Sequence, residues 1–278
     1  MKYILIALLL ASFMSTAQAT GGRLLATGGV TTVEGSSGGG IVPWATLSGY
    51  AEDDEVSAIA TLSALHLDDF DLKVAAASVN FYNRLELSVA QQDFNLTTLG
   101  AGEIRQQVFG AKYRIVGDLI YGKLPQFAMG IQYKRNRDFA VPQSIGSQHD
   151  DDFDIYLAAS RAWLNGPFNR TWVASLTARA TRANQMGLLG FGGDANNSHE
   201  VMIEGSLGIF LNRSVVVGVE YRQKPDNLAA VEEDDWMDVF VAWFPSKSVS
   251  LTAGWADLGD IAGFTSQSGA YMSIQASF

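Results

Sequence analysis

From residue 41 onward the chain repeats one pattern, segments of about ten residues in which apolar and polar side chains alternate, each closed by turn residues. A period of two sends successive side chains to opposite faces, so these segments are strands. In Glu200 to Leu211, Val201, Ile203, Leu207, Ile209 and Leu211 alternate with Glu204, Ser206 and Gly208. Next, Val215, Val217, Val219 and Tyr221 alternate with Gly218, Glu220, Arg222 and Lys224. Likewise Phe127, Met129, Ile131 and Tyr133 alternate with Gln126, Ala128, Gly130, Gln132 and Lys134. One face of each strand suits hydrocarbon and the other suits water.

A soluble β-sandwich also alternates, and three features separate the two readings. The polar face here is small, rich in Gly, Ala and Ser as a crowded lumen requires, where a soluble surface would carry more Lys and Glu. Trp44, Tyr113, Trp163, Trp172, Trp243 and Trp255 stand near segment ends, where interfacial aromatic girdles lie. The chain also ends on Phe278 with Met272, Ile274 and Ala276 in one register, an ending that resembles the C-terminal signal read by barrel-assembly machinery. The expected fold is all-β, an antiparallel transmembrane β-barrel.

The start of the chain reads as an export signal: Met1 and Lys2, an apolar run from Tyr3 to Phe13, and the small-residue site Ala17-Gln18-Ala19. That run is too short to span a hydrocarbon core of about 30 Å, and no later stretch offers the roughly 18 apolar residues of a spanning helix. The expected division is therefore 1–19 as a cleaved signal peptide, 20–40 as a Gly-rich segment forming an extra strand or a plug, and 41–278 as the barrel. The expected location is the Gram-negative outer membrane, with membrane lipid and lipopolysaccharide as surroundings. Short connections near Asn80, Val116, Leu164, Leu211 and Pro245 alternate with longer ones after Asn95, Arg137, Ala183, Pro225 and Asp257, and the longer set is expected outside the cell. Thirteen strands can be counted from residue 41. An even number requires Leu24 to Glu34 as an added strand or an early segment folded inward, hence about 12–14.

The register places Lys73, Lys112, Arg114, Lys134, Arg179, Arg222 and Lys224 in the lumen with Glu86, Asp154, Glu204, Glu220 and Asp238. Unpaired charge in a confined interior is costly, so a salt-bridged wall and a polar pore are both compatible with this set. The 278 residues include no Cys, which removes thiol chemistry and disulfides. The formal net charge of −10 becomes −11 once Lys2 is removed, which excludes a phosphate-binding nucleic-acid partner. Acidic runs at Glu52–Glu55, Asp150–Asp152 and Glu232–Asp235 lack metal-ligand spacing, as do Asp194, Asn196 and Asn197. Gly187 to Asp194 is Gly-rich but without the Lys-Ser/Thr pair of a phosphate loop, and is expected to fold Leu188, Leu189 and Phe191 over the barrel mouth. His66, His149 and His199, with Ser147 and Ser198 near them in sequence, form no recognisable triad, and a carboxylate pair at Asp150 and Asp151 is equally loose. No enzyme, cofactor or metal is expected.

The stretches Arg179 to Asp194, Glu220 to Leu228, Glu233 to Pro245 and Trp255 to Ile261, with Gly38 to Trp44 at the start, resemble a family of uncharacterised proteobacterial proteins expected to be outer-membrane barrels. The resemblance implies location and architecture, and assigns no substrate. Within those stretches, Arg179, Arg182, Arg222 and Lys224 are expected to meet Glu233, Asp234, Asp235 and Asp238 in a network tying the outer loops to the rim. The function expected is a passive channel for small solutes. Alternatives are a closed structural barrel binding lipopolysaccharide or a surface partner, and a lipid-modifying barrel enzyme.

Overall fold

The computed structural model describes residues 23–96, 98 and 102–278, so the signal-peptide reading of residues 1–19 lies outside the described residues. Twelve antiparallel strands run in sequence order around a closed barrel. They are β3 (Val56–Leu67), β4 (Asp71–Phe81), β5 (Leu85–Asn95) and β6 (Glu103–Val116). There follow β7 (Gln126–Asn136), β8 (Asp151–Trp163), β9 (Trp172–Thr181) and β10 (Glu200–Phe210). The last four are β11 (Val215–Arg222), β12 (Trp236–Trp243), β13 (Val249–Asp257) and β14 (Ser268–Ser277). β14 pairs with β3 from Gly269–Leu67 to Ser277–Ile59, which closes the sheet and leaves no barrel edge unpaired.

Both faces follow from the alternation. On β12, Met237, Val239, Val241 and Trp243 point out and are about half exposed, whereas Trp236, Asp238, Phe240 and Ala242 point in and are buried. An apolar outer wall and a paired backbone are what hydrocarbon demands of a spanning sheet. Tyr113, Trp163, Trp243 and Trp255 are exposed on that outer wall. Trp44 is not; it is buried inside the barrel.

The thirteenth segment expected from residue 41 is not a strand of the wall, and neither is Leu24 to Glu34. Residues 23–55 enter and leave at the end that holds Phe278, and of residues 26 to 51 all but Val33 are buried inside the barrel. β1 (Val30–Thr31) and β2 (Ser37–Gly38) pair as a small hairpin within this inner segment. Ile41 to Tyr50 alternates in sequence, but both of its faces meet protein, so periodicity alone could not place it. The glycine run has a steric cause: a Cβ on Gly38 would collide with the Val42 carbonyl and one on Gly39 with the Glu220 carboxylate.

At the opposite end the longer loops fold over the mouth. Phe70, Leu96, Met186, Leu188, Leu189, Phe191, Leu258 and Ile261 are buried there, and Phe70 packs on Phe94 and Phe264 with ring centroids 5.1 and 5.3 Å apart.

Candidate functional site

The inner segment is held by the wall through charge. Glu34 is wholly buried and meets Lys134, Arg179 at 3.2 Å and Arg222 at 2.8 Å. Lys134 and Arg179 also contact Asp154 at 2.6 and 3.1 Å, and Arg179 and Arg222 contact Glu204 at 2.5 and 3.4 Å. Three cations and three carboxylates thus balance. Burial by itself would raise the Glu34 carboxyl, but Arg179, Arg222 and Lys134 override it and hold the group well below the usual carboxylate range. Contacts of Arg179 with uncharged groups continue the net: its guanidinium donates to Gln132 Oε1 at 2.6 Å and lies 5.1 Å from the Tyr156 ring centre.

Two further clamps grip the backbone. Glu86 accepts from the Ser37 and Ser48 amides at 3.1 and 2.7 Å, while its cross-strand neighbour Lys112 donates to the Ser37 and Thr46 carbonyls at 2.7 and 2.8 Å. Glu220 accepts from the Ile41 amide at 2.7 Å and from Trp44 Nε1 at 3.4 Å. Opposite Glu220 in register stands Asp238, which accepts from the Tyr271 hydroxyl at 2.7 Å. Gln126 and Thr177 donate to the Ala45 and Pro43 carbonyls at 2.6 and 2.8 Å. A segment with little regular structure must find partners for its backbone polar groups, and these wall residues supply them.

The inward positions chosen from sequence divide into separate groups. Lys134, Asp154, Arg179, Glu204 and Arg222 come together around Glu34. Lys112 joins Glu86, and Arg114 lies 3.8 Å from Asp53 at the end holding Phe278. Glu220 and Asp238 form the third clamp. Lys73, expected in the lumen, is exposed on the outer face opposite Asp93, because it is one residue out of step with inward Leu72 and Val74.

The expected loop network does not form as one unit. Only Glu233 reaches the expected cations, 3.6 Å from Lys224. Arg182 instead pairs with Asp152 and donates to Asn197 Oδ1 at 2.9 Å. Asp234 accepts from the Asp260 amide at 3.0 Å, and Asp235 accepts from the Lys224 amide at 3.0 Å and from the Tyr221 hydroxyl. Arg179 and Arg222 lie too deep for loop acids and turn to the inner segment. Lys224 donates to Gln185 Oε1 at 2.9 Å and sits 5.3 Å from the Trp236 ring, while both oxygens of Glu233 accept from the Gln185 amide. Burial raises Glu233 to about 7, against the pull of Lys224, and lowers Lys224 to about 8, against the pull of Glu233.

The histidines are dispersed. His66 contacts Asp71 at 2.6 Å, His199 contacts Asp152 at 3.2 Å, and the His149 amide pairs with the Phe191 carbonyl at 3.1 Å. Asp151 accepts from Tyr133 at 2.7 Å.

Glu34 is the residue sequence reasoning passed over. One signal was present: the cations placed inward, seven with Lys73, outnumbered the five carboxylates Glu86, Asp154, Glu204, Glu220 and Asp238. A lone acid in a Gly- and Thr-rich stretch is a natural sixth.

Among solved structures, the chain is similar to a KdgM porin, with TM-score 0.52 and 11% identity over 79% of this chain and 99% of that one. It is equally similar to a KdgM porin in complex with disordered oligogalacturonate, with TM-score 0.51 and 11% identity over the same shares. Omp33 of Acinetobacter baumannii, an outer membrane protein, aligns with TM-score 0.49 and 8% identity over 82% of this chain and 100% of that one. At such identities the KdgM likeness is one of fold, that of an outer-membrane β-barrel. No curated relative matches the chain. Residues 27–275 match the family model described as Protein of unknown function (DUF3034), and the chain, an outer-membrane β-barrel, belongs to that family.

Proposed function

We propose that this protein is an outer-membrane channel for small solutes that is closed by its own inner segment, and that it carries out no catalysis. The observation that supports this reading is the seating of residues 26–51 inside the barrel with Glu34 at the centre of a balanced charge cluster. An insert that served only to fill space would be cheaper as apolar packing, because buried ion pairs regain little more than they lose on desolvation. Charged clamps hold one position specifically and release as a unit. In this reading residues 1–19 are removed on export, Phe278 engages the barrel-assembly machinery, the barrel end that holds Phe278 faces the periplasm, and the longer loops face lipopolysaccharide and the medium.

Single-channel recording in planar bilayers tests it. The mature chain should open rarely and briefly, and a variant lacking residues 24–50 should conduct steadily. A deletion variant that folds, shown by heat-modifiable migration in gels, yet never conducts would overturn the channel. The near-complete pairing of the inner segment also favours a second reading, a permanently closed structural barrel. Under that reading the mature chain stays silent at every voltage even though the deletion variant conducts.

A further inference from the structure

Between the inner segment and the wall, at the end that holds Phe278, lies a cavity of about 640 Å³. We infer that it binds a long-chain carboxylate, with the hydrocarbon tail inside and the head at a basic rim. The inference goes beyond channel activity, since binding requires no conduction.

Polarity is the first ground. Midway along the barrel the inward face carries Ser, Thr, Gln and charge, but along this stretch of wall it is Val173, Phe210, Val216, Phe240, Ala242 and Phe244. β12 is consequently apolar on both faces near this end, with Val239 and Val241 toward lipid and Phe240 and Ala242 inward. A vestibule meant for water would not be built so. Walls of such groups accept apolar guests, and the size of the cavity lies in the range of small-molecule sites.

The rim is the second. Thr171, Asn169 and Asn212 border the cavity together with Arg170 and Arg213. Arg170 donates through Nη1 to the Leu211 carbonyl, and among the described residues neither arginine has a carboxylate within ion-pair distance. Two exposed guanidinium groups beside an apolar mouth suit one anionic head, which arginine can bind through paired hydrogen bonds.

Position is the third. Val30, Gly38, Gly39 and Trp44 of the inner segment roof the cavity, so an occupant touches that segment directly. Beyond Val30 a void of about 30 Å³ continues along Ile41, Leu65, Leu72 and Trp236, and a further one of about 10 Å³ runs from Leu65, Leu72 and Trp236 to Phe94 and Leu188 beneath the loops. An apolar seam therefore crosses the barrel beside the inner segment.

The test is photolabelling of the mature protein in detergent with hexadecanoic acid bearing a diazirine at its methyl end, followed by mapping of the adducts. Adducts are expected on Phe210, Val216, Phe240 or Trp44. The Ala242→Trp variant, which fills the cavity, should lower them about tenfold, as should Arg170→Gln combined with Arg213→Gln, which leaves the packing untouched. The methyl ester of the same probe should label the cavity less than the acid. Adducts confined to outward residues such as Val239, Val241 and Trp243 would overturn the site, and so would inward adducts that survive both variants. A labelled cavity in a barrel that never conducts would remove the channel reading and leave this site standing.

Discussion

A carboxylate shut away from water has to be met by charge, and Glu34 is met by Lys134, Arg179 and Arg222 at once. Neutralising it leaves three buried cations facing only Asp154 and Glu204. Glu34→Gln should therefore lower the unfolding free energy by about 3–5 kcal/mol, the cost of breaking a buried ionic cluster on one side. Denaturant titration in lipid vesicles reads the loss, and protease access to residues 26–51 should rise with it. Exchange of Arg222 for Met in the same chain should restore part of the stability, since it removes the surplus charge; equal stability of wild type and Glu34→Gln would mean that the clamps on Ser37, Ile41 and Ser48 hold the segment unaided. The wall's share of this cluster was legible from alternation, which placed Lys134, Asp154, Arg179, Glu204 and Arg222 inward. Glu34 was not, because its neighbours Val33 and Gly35 give no period to read.

At the scale of strands and loops, the two faces of one strand should respond oppositely to charge. Val239 is 54% exposed on the lipid side of β12. Val239→Arg should cost about 2–4 kcal/mol, the penalty for a cation toward the middle of a bilayer. Its neighbour Asp238 points inward, opposite Glu220 and in reach of the Tyr271 hydroxyl, so Asp238→Asn should leave insertion into vesicles intact. The loop pair Lys224 and Glu233 predicts a pH response. Glu233 is raised from 4.5 to about 7 chiefly by burial. The ordered loop therefore holds a proton that the loosened loop releases, and stability of the docked loop falls as pH rises from about 4.5 through 7. A nitroxide at exposed Ala229 should be less mobile at pH 5 than at pH 7.5, and Glu233→Gln should flatten that change. The strands were readable because hydrocarbon on one side and a lumen on the other impose a strict sorting. The loops were not: Arg182 chose Asp152 on another strand, and Asp235 chose the Lys224 amide rather than its ammonium, contacts that no local spacing encodes.

For the molecule as a whole, closure and filling are separate events. The barrel closes through β14 on β3 without help from the inner segment, so removal of residues 24–50 should leave twelve paired strands and a wider, conducting lumen. Both heat-modifiable migration and bilayer current are needed to see this, one for the wall and one for the opening. The sequence by itself determined the antiparallel barrel, the facing of most side chains and the alternation of short with long connections, because each depends on neighbours two positions apart or on the length of a turn. Only the tertiary structure decided that the wall has twelve strands, that Ile41 to Tyr50 lies within it, and that Trp44 faces the interior rather than the membrane surface. A segment surrounded by protein on all sides meets the same kind of environment on both faces, so even an alternating sequence does not say whether it lies in the wall or within it. Its place is set instead by the carboxylates, lysines and arginines that converge on it from strands far apart in the chain.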